Sequence, residues 1–414
     1  MRILKLSIYY YPDKTGIAVT NTEVAEWFAS QGNTVEIITG LPFYPEWKIK
    51  EEYLDGSKWN EEINGVIVKR VRIYVPKSVN TSTRMIQEFS FVVRVFFKAF
   101  TGKKPDVIIV VSPPLTLGLI GILLKKIWRI KMLLNVKDLM PDAAIELNMI
   151  RNPALIKIFY NLERYIYANS DIIGTCGPSL LRRIEKKDVR ADKLAYLPDT
   201  LDPQLLTEVK ENKEGNRFLI RNKLPGGFYI LHAGNMGVKQ GMEVILDAAD
   251  LLRALPIHFL LVGDGAVKVS LLSYAEKLKL RNVLFLPLQP REILRDMYQA
   301  CHISLVTQKN SVIDTVVPGK IITSMAVGNC IITSAHASSE AGRMTIDADC
   351  GMVVEAERAD LLSEAIKYFF ENQKVLLVKA QNARRYAKKH FERETIMRRY
   401  EGYIQRLCKC PAAH

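Results

Sequence analysis

Two short stretches combine residue types and spacings suited to chemistry on an anionic group. The first is Phe228-Tyr-Ile-Leu-His-Ala-Gly-Asn-Met-Gly-Val-Lys-Gln-Gly241, where Gly234 and Gly237 follow an apolar run and Lys239 follows them. Glycines let main-chain N–H groups approach a bound group closely, and a helix after such a turn directs its positive end toward it. That arrangement suits an anion, and a diphosphate above all. The same glycines also suit a tight turn that holds nothing. The second stretch, Thr315-Val-Val-Pro-Gly-Lys-Ile-Ile-Thr-Ser-Met-Ala-Val-Gly328, puts Lys320 directly after Gly319 at an expected helix start. Transfer from a phosphorylated donor builds negative charge on the departing phosphate, and a preorganised cation there stabilises it. Lys320 is the first choice for that cation and Lys239 the second; the alternative for each is a solvated lysine.

These loops need elements to position them, and the hydrophobic pattern supplies strands and helices in alternation. Lys5–Tyr10, Thr34–Thr39, Pro105–Val111, Met132–Val136, Asp171–Thr175 and Leu194–Leu197 read as strands in the first half. Strands near 228–233, 257–262, 282–286, 302–306, 329–333 and 352–354 follow in the second. Helical periodicity fills the intervals, including Asn21–Ser30, Met85–Phe100, Leu115–Ile127 and Ala154–Ala168. Alternation of this kind predicts parallel sheets and an α/β fold. Asn64-Gly65 is a hairpin signal. Residues 41–60 read as a long surface loop, and the charge-rich stretch 198–227 as an irregular linker. The expected domains are 1–205 and 206–390, with 391–414 as a terminal helix. In parallel sheets ligands sit outside the carboxyl ends of the strands. The candidate loops are therefore 11–16, 112–114 and 137–141 in the first half, and 234–241, 263–265 and 315–320 in the second.

Composition excludes several classes. The 414 residues are 48% apolar and 25% charged, ordinary for a globular protein with length for two cores. No leading signal is present, and the longest apolar run, Leu115–Leu124, is far short of the ~20 residues a spanning helix needs. The six cysteines contain no Cys-x-x-Cys and read as reduced packing residues of a cytoplasmic protein. The six histidines show no ligand spacing, and Asp347-Ala348-Asp349 reads as a surface turn, so no metal is expected. Of the net charge of +14, residues 69–137 alone contribute +12, with 14 Lys/Arg against Glu88 and Asp106. Phe89, Phe91, Phe96, Phe97, Phe100 and Trp128 lie among these cations. A basic-aromatic region of this kind suits an anionic membrane surface, the alternative being a core helix with charged flanks. No reader motif accompanies the charge, so nucleic acid is not expected.

The Gly234 loop, Phe259-Leu-Leu-Val-Gly-Asp-Gly265 and Thr315–Ser334 together resemble the nucleotide-binding half of the group 1 (family four) glycosyltransferases. The likeness is in particular to the subgroup that builds colanic acid and other bacterial surface polysaccharides, and it covers nearly the whole chain. It implies the GT-B architecture: two doubly wound, Rossmann-like parallel-sheet domains facing across a cleft, with the last helix crossing back to the first domain. It implies a retaining enzyme that moves a hexosyl or N-acetylhexosaminyl group from a nucleotide-diphosphate sugar to a lipid-linked or oligosaccharide acceptor. No cofactor or metal is implied, and the place of work is the cytoplasm, at the inner face of the plasma membrane. Carried onto this sequence, the donor-binding positions are Gly16, Gly234, Asn235, Gly237, Gln240, Gly263, Gly265, Pro318, Gly319, Thr323 and Glu340. The catalytic positions are Asp138, Lys320 and Lys239. Lys137-Asp138-Leu-Met-Pro141 resembles the subgroup's Asp-Leu-Trp-Pro sequence, and Asp138 either orients a sugar or caps a helix. Glu340 either touches the sugar or caps its helix.

The sequence departs from the wider family in three places. Gly234-Asn235 and Gln240-Gly241 stand where most members carry Gly-Arg and Lys-Gly. Thr315 and Thr323 stand where most carry the glutamates of Glu-x7-Glu, and Lys137 stands where many carry an active-site histidine. Lys320 is expected to replace the missing cations, and Thr323 weakly replaces a ribose carboxylate. Two other readings share the architecture: a binding subunit that has lost activity, and a sugar-nucleotide 2-epimerase.

Overall fold

Short β-branched runs separated by amphipathic helices fold here into two parallel sheets. The computed structural model describes residues 1–13, 16–44, 46–76, 78, 81–146, 149–206, 215–311 and 319–409. The chain divides into two compact units, Met1–Asp199 with Glu394–His414, and Thr200–Arg393.

The first unit holds β1 (Arg2–Leu6), β2 (Thr34–Gly40), β3 (Asn60–Ile63), β4 (Val66–Val71), β5 (Val107–Ser112), β6 (Lys131–Val136), β7 (Ile172–Thr175) and β8 (Leu194–Tyr196). Their order is β3-β4-β2-β1-β5-β6-β7-β8. β5 is buried at every position, which its unbroken Val-Ile-Ile-Val-Val run requires of a strand covered on both faces. One strand is not parallel. Asn64 and Gly65 both take positive φ, 51° and 80°, and pair Ile63 with Val66 in an antiparallel hairpin at the sheet edge. The terminal helix Arg393–Lys409 buries Ile396, Met397, Tyr400, Ile404 and Leu407 in one cluster with Ile3, Val35 and Val107 of this unit.

The second unit holds β9 (Phe228–Asn235), β10 (Ile257–Asp264), β11 (Val283–Leu286), β12 (Ile303–Thr307), β13 (Cys330–Ser334) and β14 (Gly351–Val354), in the order β11-β10-β9-β12-β13-β14. All pairings are parallel. Both sheets are doubly wound: strand order reverses beside β1 in the first and beside β9 in the second. Such reversal points open the crevices where ligands of open α/β sheets bind.

Several local expectations change. The first helix begins at Gly16 rather than Asn21, running to Ser30. Residues 41–60 do not lie wholly on the surface, because Leu41, Phe43 and Tyr53 are buried. The stretch expected as an irregular linker contains the helix Arg217–Arg221, and Leu201, Leu205 and Phe218 enter the second unit's core. Apolar residues spaced among charges were too sparse there to read as packing. Four cysteines are buried and free, whereas Cys408 is exposed with its Sγ 3.3 Å from the Met1 Sδ; Cys410 lies outside the described residues. Among the described residues no helix is long and apolar enough to cross a membrane.

Candidate active site

The second unit gathers its candidate residues where strand order reverses. Gly234 ends β9, and parallel register sets it beside Gly263 of β10, with Asn235 beside Asp264. A side chain at Gly263 has no space: its Cβ would lie 1.9 Å from the Gly234 carbonyl oxygen, at a φ of +146°. Gly265 is constrained alike, with Met236 O 2.4 Å from a Cβ position. These two glycines let the β9 and β10 loops interlock, and Met236 N–H donates to Asp264 O at 2.8 Å. Gly263→Ala is therefore expected to cost roughly 4 kcal/mol or more. Loss of the second unit's cooperative melting transition would show it; a native melting curve would contradict it.

Gly237 precedes a single 3-10 turn, Val238–Gln240, and its N–H donates to Gln240 Oε1 at 3.1 Å. Gln240 thus shapes the loop from within. Lys239 is half-buried, and its carbonyl accepts from Lys309 N–H, which ties the loop to the segment after β12.

Lys320 enters from the helix Gly319–Val327, whose first-turn amides have no intrahelical acceptors. Its Cε lies 3.6 Å from where a Gly234 Cβ would stand, so the missing side chain is the space the lysine crosses. The Nζ lies 3.1 Å from His232 Nε2, on β9. Burial, then repulsion from Lys239, lowers the Lys320 ammonium to about 7. His232 is wholly buried and held well below the ordinary histidine value, by burial first and Lys320 second. A neutral ring facing an ammonium must accept at Nε2 and carry its hydrogen on Nδ1. Among the described residues that Nδ1 makes no hydrogen bond of ordinary geometry, although the Asn235 backbone is close enough to favour the protonated ring slightly. Among the described residues no carboxylate pairs with Lys320. Thr323 lies one turn further along the same helix and is half-buried. Glu340 is buried at the first position of the helix Glu340–Asp347, where Ser339 Oγ caps Gly342 N–H at 3.1 Å. Pro318 and Thr315 lie outside the described residues.

In the first unit, Gly16 opens its helix with free space around the Cα, and Asp138 is half-buried after β6. A buried pair links the two loops. Lys137 Nζ donates to Asp199 Oδ1 at 2.5 Å, and the same oxygen accepts from Thr20 Oγ1 at 3.1 Å. Thr20 Oγ1 in turn lies 3.1 Å from Gly16 O. Burial pushes the Lys137 ammonium down, but Asp199 outweighs it, and the net shift is upward. Lys5 is also buried, donates to Asn21 O at 3.1 Å, and is pushed well down by burial and then by Lys137. Tyr400, from the terminal helix, accepts from Asn135 Nδ2 at 2.9 Å beside this pair. The lysine at the family's histidine position is thus neutralised within the fold rather than held open for substrate.

His232 and Asp199 escaped the sequence reading. A lone histidine in an apolar strand looks like a core residue, and Asp199 meets Lys137 only through the fold. Among the described residues no three His, Cys, Asp or Glu side chains converge as a metal site.

Comparison with known proteins gives the same reading from another direction. Residues 217–390 match the family described as glycosyl transferases group 1, and residues 15–200 match a glycosyl transferase 4-like domain. WcaI of Escherichia coli K12, whose name assigns it to glycosyl transfer in colanic acid biosynthesis, is 31% identical over 98% of this chain and 100% of its own length. Among solved structures, a sucrose-phosphate synthase from Thermosynechococcus elongatus superposes with a TM-score of 0.78 at 17% identity, over 98% of this chain and 99% of that one. HepE of Anabaena, solved with UDP-glucose, superposes with a TM-score of 0.71 at 15% identity, over 98% and 100%. At these identities the structural likenesses establish the GT-B fold alone.

Proposed function

Because the chain belongs to the group 1 glycosyltransferases, we propose that it moves a hexosyl or N-acetylhexosaminyl group from a nucleoside diphosphate sugar to a lipid-linked glycan. The setting proposed is bacterial surface polysaccharide assembly, at the cytoplasmic face of the plasma membrane. WcaI's name supports the pathway class, and HepE's bound UDP-glucose supports the donor class. The observation that carries the reading is Lys320: a buried amine with no carboxylate paired to it among the described residues, at a helix start, against the Gly234 main chain. An anion with two phosphates supplies what that group lacks.

In the proposed chemistry the acceptor hydroxyl oxygen bonds to the anomeric carbon as the bond from that carbon to the diphosphate oxygen breaks. Attack on the face the phosphate leaves retains configuration, and the departing phosphate oxygen takes the hydroxyl proton. Lys320, with Lys239 and the Gly234–Gly237 amides, neutralises the charge that grows on the diphosphate. These cations do the work a metal does in other transferases, so activity in this reading survives chelation. Thr323 offers a hydroxyl to the nucleoside, and Glu340 a carboxylate to the sugar. Gly16 remains a donor-binding position and Asp138 orients a sugar, with the Lys137–Asp199 pair holding their loops in place.

Thermal-shift screening with UDP-, GDP- and dTDP-sugars tests the donor, since a ligand at 100 times its dissociation constant stabilises by about 2.7 kcal/mol. Analysis of the products then reads transfer and anomeric configuration. Donor affinity should depend on pH. The Lys320 ammonium sits at about 7 in the free protein and is raised by a bound diphosphate. Affinity should be level below pH 7 and fall by up to about tenfold per pH unit above it, until the bound-state value is passed. Titration of a nucleotide sugar at pH 6–9 reads this; a flat profile would remove Lys320 from the donor site. Epimerised donor without transfer would replace the transferase reading itself.

A further inference from the structure

The basic window at 69–137 does not form one patch. Lys69 pairs with Glu36 at 2.8 Å, Arg70 with Glu61 at 2.8 Å, and Lys125 and Lys131 both with Asp171. Lys137 is buried on Asp199. What remains outside is a surface that the count of charges did not show.

Three helices pack side by side on the first unit: Thr81–Ala99, Leu117–Trp128 and Pro153–Asn169. Gly118 of the second lies against Ile166 of the third, and Phe100, just past the first, lies edge-on to Trp128 at 5.6 Å. Each helix buries one apolar stripe, as any helix on a sheet must. Each also carries a second apolar stripe that faces solvent. On the first it is Met85, Phe89, Val93 and Phe97, at four-residue spacing, with Phe89 69% and Phe97 67% exposed. On the second it is Leu119, Leu123 and Ile127, again at four-residue spacing. On the third it is Leu155, Ile158 and Tyr165. Exposed apolar residues scattered singly need no explanation, but aligned stripes on three neighbouring helices form a continuous face.

The exposed charges carried by the three helices themselves have one sign. The exposed charged residues on these helices are Arg84, Arg94, Lys126, Lys157 and Arg164, and Lys103, Lys104 and Arg129 flank them. Neither of the helices' two acids is exposed: Glu163 is buried on Lys187 at 2.7 Å, and Glu88 is half-buried. An apolar face on helices that expose only cations among the described residues matches a bilayer that offers acyl chains below anionic headgroups.

We propose that this three-helix face is a membrane-docking surface that seats Phe89, Phe97, Leu123 and Ile158 below the headgroups of an anionic bilayer. It deepens the proposed function, because it rests on the reading that the acceptor is lipid-linked. It assigns to docking the helix Pro153–Asn169, which lies outside the basic window, and it removes from docking the paired cations of β4 and β6.

Co-sedimentation with vesicles of phosphatidylethanolamine and phosphatidylglycerol (3:1), against pure phosphatidylcholine, tests it. The full chain should bind the anionic vesicles, more weakly at 0.5 M salt, and bind phosphatidylcholine less. Phe89→Asp with Phe97→Asp should lower partitioning roughly 100-fold, since each aromatic side chain withdrawn from apolar surroundings loses over tenfold. Ile158→Asp alone should lower it as well. All three side chains are solvent-exposed, so the fold should tolerate the changes, and an unchanged melting shift with nucleotide sugar checks that it does. Equal sedimentation of parent and variants would overturn the proposal. So would a dimer in light scattering that the Phe89→Asp, Phe97→Asp variant dissociates, since a second copy would then cover the face. Vesicle binding and nucleotide-sugar binding are read separately, so either can fail while the other stands.

Discussion

Replacing Lys320 by methionine should lower turnover by about 100–1000-fold, the loss measured when one preorganised donor to a transition-state anion is removed. Nucleotide-sugar affinity should fall with it, because the ammonium meets the diphosphate in the ground state too. Stability should move the other way or not at all. In the free protein the Lys320 ammonium is disfavoured by burial and by Lys239, and among the described residues its Nζ meets only His232 Nε2. Methionine keeps much of the side-chain length and removes the charge. Loss of activity with an unchanged or raised melting temperature is the pattern of a group held for its ligand. Loss of both together would make Lys320 a structural residue, and unchanged turnover would end its assignment. Arginine should not rescue, since a planar fork does not fit the space above Gly234 as a compact ammonium does.

Asp199→Ala should destabilise the first unit by about 3 kcal/mol, the low end of the range for removing one partner of a buried pair, because Asp199 is itself partly exposed. The cost comes from stranding Lys137 beside Lys5, with no other acid paired to its Nζ among the described residues. The two proteins should respond to pH differently. In the parent, the folded-state Lys137 is raised above its unfolded value, so its stabilisation is full at lower pH and is lost as pH climbs through the raised value. In the variant, burial lowers it, and stability should rise with pH as the stranded lysine sheds its proton. Denaturant midpoints of the first unit at pH 7 and 9 read this: Lys137 should leave the parent level over that interval, while the variant gains stability. Lys137→Met added to Asp199→Ala should recover most of the loss, since an apolar pair needs no compensation. A double variant no better than the single would mean that Asp199 acts through Thr20 rather than Lys137.

How far these groups were legible differs by residue, for physical reasons. The strands declared themselves, because Val107–Ser112 or Phe228–Asn235 can satisfy their apolar side chains only inside a covered sheet. Lys320 was legible from its place after Pro318-Gly319. The glycines of the β9 and β10 loops were legible as glycines, but not the reason for them: that Gly263 meets the Gly234 carbonyl depends on register between strands 29 residues apart. His232 and Asp199 carry no local sign, since their meaning comes from Lys320 and Lys137, which the chain brings to them from far along the sequence. The basic window was only partly legible for the same reason. A count of Lys and Arg cannot see Glu36, Glu61, Asp171 and Asp199 waiting across the sheet. The solvent-facing stripe at Met85, Phe89, Val93 and Phe97 was half legible, because aromatics among cations suit a membrane surface but equally a covered core helix, and only the fold shows which residues face out.

A crystal of the protein grown with an intact nucleotide sugar tests the donor site most directly. The diphosphate should lie against the Gly234–Gly237 main chain with one oxygen about 2.7–3.2 Å from Lys320 Nζ, the lysine drawn off His232. A diphosphate bound elsewhere, with Lys320 still resting on His232, would contradict it.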